Sequence, residues 1–235
     1  MDSTAVRIKS LSYSYPDGTC ALKDVSLDIS PGERVGIVGS NGAGKSTLLF
    51  HLNGIIDGNG DVEIFGLKLS KANMREIRSR VGLVFQNPDD QLFSATIEED
   101  VAFGPLNMHL TVDKVRRRVE SSLDAVGLDG MGQRSAWHLS AGEKKRASIA
   151  TILSMKPDLM AFDEPTGNLD PQGRREIIEI LRDIESTLII VTHDLDIVRD
   201  LCERTVVMHE GRIVEDGITK EILENENLLM STGLL

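Results

Sequence analysis

Eight consecutive residues constrain this chain more than any others: Gly39-Ser40-Asn41-Gly42-Ala43-Gly44-Lys45-Ser46. A G-x4-GK-S run carries chemistry only when a buried strand leads into it and a helix leads out. The flanks supply both. Arg34–Val38 is a short β-rich run, and Leu48, Leu49 and Leu52 recur at helical spacing after Lys45. Glycines in such a loop let backbone N–H groups turn inward around phosphate oxygens, and the helix start adds the positive end of its dipole. Lys45 then reaches the β- and γ-phosphates, and Ser46 can ligate Mg2+. Thr47 completes the stretch expected to touch the nucleotide.

The remaining chain has to fit around that unit. Its 235 residues suffice for one large domain or two small ones, and such a length buries roughly 70–75% of the surface the unfolded chain exposes. The net charge of −11 argues against a face built to wrap nucleic acid. Cys20 and Cys202 stand far apart in no metal-ligand spacing, as expected of free thiols in a reducing compartment. No stretch approaches 18 apolar residues and Met1–Ser10 has no apolar leader, so a cytosolic chain is expected, one that can still dock on a membrane component.

Periodicity divides the sequence into three stretches. From Val6 to Ile29 apolar residues alternate around a Tyr15-Pro16-Asp17-Gly18 turn, predicting antiparallel strands that Pro31-Gly32 closes. A second strand pair is expected at Val62–Phe65 and Val81–Phe85, bracketing a charged helix from Lys71 to Arg80. From Thr96 to Leu153 the pattern is almost wholly helical, with Val115, Val119, Leu123 and Val126 about one turn apart, so 86–155 reads as a helical insert. Strand and helix then alternate through Leu159–Phe162, Glu176–Ile184, Leu188–Val191, Leu195–Leu201 and Val206–Met208, the order of a parallel sheet. A hairpin at Glu210-Gly211, a strand through Ile213–Val214 and a short helix near Lys220–Leu223 end the chain.

Two further groups carry chemistry. Asp163 and Glu164 follow the apolar run Leu159–Phe162 and so emerge at the carboxyl end of a buried strand, where open α/β sheets place ligands. Asp163 suits a Mg2+ role, direct or through water, and Glu164 is placed to polarise an attacking water. Leu139-Ser140-Ala141-Gly142-Glu143-Lys144 can be read twice. Ser140 and Glu143 form a capping box for a helix over Lys144–Leu153, and the same helix start with its glycine is an anion site for a γ-phosphate.

The phosphate loop, Gln86 after a strand, Leu139–Glu143, Asp163-Glu164, Gly167-Asn168-Leu169-Asp170 and Thr192-His193-Asp194 occur in the order found in ATP-binding-cassette (ABC) ATPases, which the chain resembles over almost its whole length. The resemblance implies an α/β P-loop NTPase fold of one ABC domain. Residues 1–85 and 156–235 would form the catalytic α/β part, with a mixed β-sheet core and an antiparallel β subdomain, and 86–155 the helical subdomain. It further implies that Tyr15 stacks on adenine, with Tyr13 the alternative, that Gln86 links Mg2+ and water to the helical part, and that His193 touches the γ-phosphate. Two cassettes, identical or paralogous, would sandwich ATP head to tail, the Ser140 and Gly142 of each facing the phosphate loop of the other. Ala141 and Glu143 depart from the usual LSGGQ, and Glu143 brings a negative charge toward the nucleotide. His51, His109, His138 and His209 match no motif and read as packing or surface residues.

Val84–Phe93 and Glu99–Pro105 resemble the ATPases of energy-coupling factor importers, the cobalt and nickel group in particular. Such ATPases sit on the cytoplasmic face of the cell membrane, where a membrane coupling protein joins them to a substrate-capturing membrane subunit. Asp89, Asp90, Glu98, Glu99 and Asp100 are expected to form an acidic rim that receives arginines of that coupling protein. The alternatives are a soluble ABC ATPase without a membrane partner and a vitamin-importing relative of the same kind. A small-molecule P-loop kinase would leave Leu139–Lys144 and His193 without a role.

Overall fold

A computed structural model describes residues 4–235; residues 1–3, the start of the N-terminal stretch expected to lack a leader, lie outside the described residues. Strands β1 (Val6–Ser14) and β2 (Cys20–Ile29) pair antiparallel around the expected turn, in which Gly18 N–H donates to the Tyr15 carbonyl at 2.9 Å. Strand β4 (Asn59–Ile64) adds to the other edge of β1, and β5 (Leu67–Lys68) to β4, giving a four-stranded sheet in the order β2-β1-β4-β5.

A second sheet holds β3 (Arg34–Val38), β6 (Val81–Val84), β7 (Leu159–Asp163), β8 (Thr187–Thr192), β9 (Arg204–His209) and β10 (Arg212–Ile218), in the order β10-β9-β3-β8-β7-β6. All its pairings are parallel except the β9–β10 hairpin, whose turn residues Glu210 and Gly211 have φ of 46° and 81°. Two positive φ values in a two-residue loop match the twist of the flanking strands. The strands expected at Val62–Phe65 and Val81–Phe85 exist, but they do not pair: β4 lies in the first sheet and β6 in the second. The physical reason is burial. Strand β4 begins exposed and alternates, as a one-sided antiparallel strand does, whereas every residue of β6 is buried, as in a parallel strand covered on both faces.

Alternation along the second sheet splits its side chains between two cores. Val38, Val84, Met160, Phe162, Leu188, Ile190 and Val207 face one way, against helices. Ile37, Leu83, Ala161, Ile189, Val191 and Val206 face the other, against the four-stranded sheet and Leu48, Leu49 and Leu52 of α1 (Lys45–Leu52). The charged helix before β6 is α2 (Met74–Arg80). The insert comprises α3 (Ile97–Asn107), α4 (Val112–Ala125) and α5 (Ala141–Leu153), and it is less helical than expected because 126–140 is loop with a single 3-10 turn at Ala136–His138. Helix α5 begins at Ala141 rather than Lys144, because Ser140 is its N-cap. Helices α6 (Pro171–Arg182), α7 (Leu195–Leu201), α8 (Thr219–Glu224) and α9 (Glu226–Ser231) complete the fold.

Candidate active site

The loop after β3 is shaped by contacts only glycine allows. A Cβ on Gly39 would collide with the Met208 carbonyl oxygen of β9, and Gly44, at φ +100°, turns its α-carbon against the Ala21 carbonyl. The neighbouring strands therefore mould the loop before any ligand arrives. Asn41 and Gly42 are exposed at its tip, Ala43 is buried, and Ala43 N–H closes a turn onto the Ser40 carbonyl at 3.1 Å. Lys45, only 6% exposed, folds back so that Nζ donates to the Gly39 and Ser40 carbonyls at 2.7 and 3.1 Å. Burial lowers its pKa, and the charges of Glu164 and Asp163 pull it back up.

Both carboxylates emerge at the end of β7, as the sequence predicts, and their environments differ. Asp163 is 3% exposed and its Oδ1 has no hydrogen-bond partner among the described residues. Burial raises its pKa first of all; the Ser46 hydroxyl, Lys45 and Lys145 lower it, while Glu164 raises it. An unpartnered buried carboxylate oxygen beside a serine hydroxyl at the foot of a phosphate loop fits the oxygen-ligand chemistry of Mg2+. Glu164, at φ 45°, is instead fully engaged. Its Oε2 accepts from Thr192 Oγ1 at 2.8 Å, and its Oε1 accepts from the His193 backbone N–H at 3.1 Å and from His193 Nδ1 at 2.7 Å. The His193 side chain is 62% exposed. Its loop is anchored from behind by the Arg174 guanidinium, which grips both carboxylate oxygens of Asp194.

Lys45, Ser46, Asp163, Glu164 and His193 thus converge at adjacent strand ends. Tyr15 stands at the margin, 37% exposed, with its hydroxyl and Thr47 Oγ1 2.9 Å apart. Tyr13, the alternative stacker, is half-buried and packs edge-on against Tyr15 and His51. His51 is itself fully buried, a packing residue as expected, with Nδ1 on the Thr47 carbonyl at 2.7 Å.

Gln86 is exposed on the loop after β6, and its side chain makes no hydrogen bond among the described residues. The backbone beneath it is held firmly. Lys145 of α5, 1% exposed, donates from Nζ to the Phe85 and Gln86 carbonyls at 3.1 and 2.7 Å, and burial pulls its pKa down to about 8 against the charges of Asp163 and Glu164. Gln91 accepts from Phe85 N–H at 3.1 Å and donates to the Ser148 carbonyl and Thr151 Oγ1 of α5. Neither residue was expected from the sequence. The legible signal was that Lys145 stands four residues before Ile149, on the apolar face of its helix.

Ser140 and Gly142 line a different cavity, of about 510 Å3, with Asn168, Asp170 and Gln172; no residue of Gly39–Ser46 borders it. The capping box is complete: Ser140 Oγ accepts from Glu143 N–H at 3.3 Å, and Glu143 Oε2 accepts from the Ser140 N–H and hydroxyl, both at 2.7 Å. Those bonds to Ser140 lower the Glu143 pKa and draw its negative charge back onto its own cap. Asp170 likewise caps α6 through Gly173 N–H at 2.7 Å.

The acidic rim is smaller than expected. Asp100 is 2% exposed and its Oδ1 accepts from the Phe93 and Ser94 N–H groups, so it is an internal brace. Glu99 closes the α3 capping box, Glu98 accepts from Gln133, and Asp89 pairs with Lys144 at 2.7 Å. Asp89, Asp90, Glu98 and Glu99 stay exposed, and beside them lies an exposed aromatic pair: Phe93 (67% exposed) meets Phe103 (52% exposed) edge-on, ring centroids 5.1 Å apart. Phe103 borders a groove of about 1070 Å3 between α2 and α3.

Residues 22–167 match the family model for ABC transporters. The chain is 49% identical to the energy-coupling factor transporter ATP-binding protein EcfA of Carboxydothermus hydrogenoformans, over 98% of this chain and 86% of that protein. Among solved structures it is similar to CbiO1 of Clostridium perfringens, described as part of the ABC transporter complex CbiONQ, at TM-score 0.84 and 38% identity over 99% of this chain and 95% of the other. It is also similar to the ATP-binding cassette MJ0796, solved as a dimer in a post-hydrolysis state with ADP and Pi, at TM-score 0.82 and 27% identity over 91% and 98%.

Proposed function

The chain belongs to the ABC transporter family and is an ATPase, and from that premise we propose that it is the motor subunit of an energy-coupling factor importer for cobalt or nickel ions. The observation that carries the importer reading is the exposed Phe93–Phe103 pair beside the groove between α2 and α3, directly beyond the loop that bears Gln86. An apolar patch of that kind, rimmed by charge, marks a protein–protein contact. The occupant we assign is a cytoplasmic segment of the membrane coupling protein, which in turn holds the substrate-capturing subunit. The chain would then work at the cytoplasmic face of the cell membrane as a peripheral subunit. Among the described residues none of the helices is long and apolar enough to cross a membrane. Cobalt or nickel as cargo rests on the resemblance of Val84–Pro105 to that group.

In the active unit two such chains, identical or paralogous, bind ATP between them. The separation of Ser140 and Gly142 from the phosphate loop within one chain supports this, since the cavity they line does not open onto that loop. Gly39, Ser40, Asn41, Gly42, Ala43 and Gly44 wrap the phosphates, Lys45 leaves its loop carbonyls for the β- and γ-oxygens, Thr47 borders the same pocket, and Tyr15 covers adenine. Ser46, Asp163 and Gln86 would hold Mg2+, which neutralises phosphate charge when bound. Glu164, oriented by Thr192 and His193, takes the proton of the attacking water, and His193 senses the γ-phosphate. Residues 86–155 act as a subdomain whose rotation, passed through the Gln86 loop, carries the stroke to the membrane.

The test is ATP turnover by the purified chain, alone and with its membrane subunits in proteoliposomes loaded with a cobalt-sensing dye. Stimulated turnover with cobalt or nickel uptake is the expected result. Stimulated turnover with uptake of a vitamin instead would replace the cargo, and turnover indifferent to the membrane subunits would replace the importer with a soluble ATPase.

A further inference from the structure

Lys145 is an ionisable side chain placed where such groups rarely sit, 1% exposed, and none of the roles assigned above uses it. An ammonium so placed is tolerated only when its donors are matched. Here two of them meet the carbonyls of Phe85 and Gln86, consecutive residues at the point where the chain leaves β6. Helix α5, which carries Lys145, also carries the Ser140–Gly142 anion site at its N-terminus. Gln91 adds a second strap from the same loop to the same helix, and Lys144 a third, to Asp89. Three side-chain contacts within eight residues of α5 bolt the Gln86 loop to the helix that starts at the Ser140–Gly142 segment.

We propose that Lys145 is a positioning residue: clamped on the Phe85 and Gln86 carbonyls, it fixes the backbone that presents the Gln86 side chain and makes α5 and the 85–91 loop move as one body. This rests on the reading of Gln86 as a nucleotide-site residue. The Gln86 amide makes no hydrogen bond to protein among the described residues, so what the fold fixes of this residue is its backbone, at the peptide that Lys145 holds. Losing the clamp frees that peptide, while the backbone contacts that mould the phosphate loop, on β9 and β2, stay in place.

The experiment is a double-mutant cycle on ATP turnover by the full chain, with Lys145→Met, Gln86→Ala and the pair. Lys145→Met keeps the length and loses the donors; kcat should fall about tenfold with KM for ATP within twofold, the pattern of an interaction felt in the transition state. In the Gln86→Ala background the same change should cost nothing further, because two residues acting through one contact are not additive. Should Lys145→Met fail to fold, Gln91→Met cuts the half-buried strap on the same loop and carries the same two expectations. Parental kcat in the clamp variant, a raised KM with kcat unchanged, or losses that multiply with Gln86→Ala would each overturn the clamp. Parental turnover in Gln86→Ala alone would instead overturn the reading of Gln86.

Discussion

The strand-end half of the site and the helical half are built by different means. Lys45, Asp163, Glu164 and His193 stand on or beside β3, β7 and β8, neighbouring strands whose parallel ladders fix the backbone residue by residue. Gln86, Ser140 and Gly142 stand on loops and helix starts, held by caps and by single side chains such as Lys145, Gln91 and the Arg146–Glu176 ion pair. A ladder resists displacement at every residue, whereas a strap can be cut by one substitution. The proposed function accordingly assigns bond-breaking chemistry to the laddered half and transmission to the strapped half.

Substitutions can break that comparison, and the largest effect is expected in the stiff half. Glu164→Gln should lower turnover by about 10^2 to 10^4, the usual contribution of a positioned general base, while ATP binding survives and an ATP-bound dimer accumulates in gel filtration. Normal turnover in this variant would remove Glu164 from the reaction. Next, Lys45→Ala should weaken ATP binding on the order of 100-fold, equivalent to losing about 3 kcal/mol of charged hydrogen bonds; isothermal titration calorimetry reads it directly, and unchanged affinity would contradict the assignment.

Smaller effects are expected in the strapped half, and on a different observable. Phe93→Ala should weaken assembly with the membrane subunits by about 30-fold, as loss of a 2 kcal/mol aromatic anchor does, with nucleotide affinity unchanged when both are measured on the same preparation. Asp90→Lys should weaken the same assembly only a few-fold, a rim charge being worth about 1 kcal/mol or less. That is far below what a five-carboxylate rim would give, because Asp100 is internal and Asp89, Glu98 and Glu99 already have partners. If Asp90→Lys proves the more damaging of the two, docking is electrostatic and the aromatic pair is incidental.

Much of this molecule is legible without coordinates where the signal is local. The phosphate loop, the strand before it and the paired acids after Leu159–Phe162 are short contiguous patterns, and each lands in the structure where periodicity puts it. Misreadings arise where the decision is not local. Val62–Phe65 and Val81–Phe85 look alike as strands, but which sheet takes each depends on whether one face or both will be covered. Asp100 reads as one more surface acid because nothing in its neighbours says that the chain folds back to offer the Phe93 and Ser94 N–H groups.

By itself the sequence determined the local parts of the candidate site: a glycine-rich loop after a buried strand, a lysine and serine at a helix start, two carboxylates at a strand end. Those choices are dictated by residue type and spacing within a few positions. Only the tertiary structure decided which groups are spoken for. Glu164 is held by Thr192 and His193, and Lys145, one of three consecutive basic residues Lys144–Arg146, is the one sealed against the Gln86 loop. The physical reason is that a hydrogen bond needs its partner within about 3 Å, and partners 28 to 60 residues apart in sequence meet only once sheet and helices have packed.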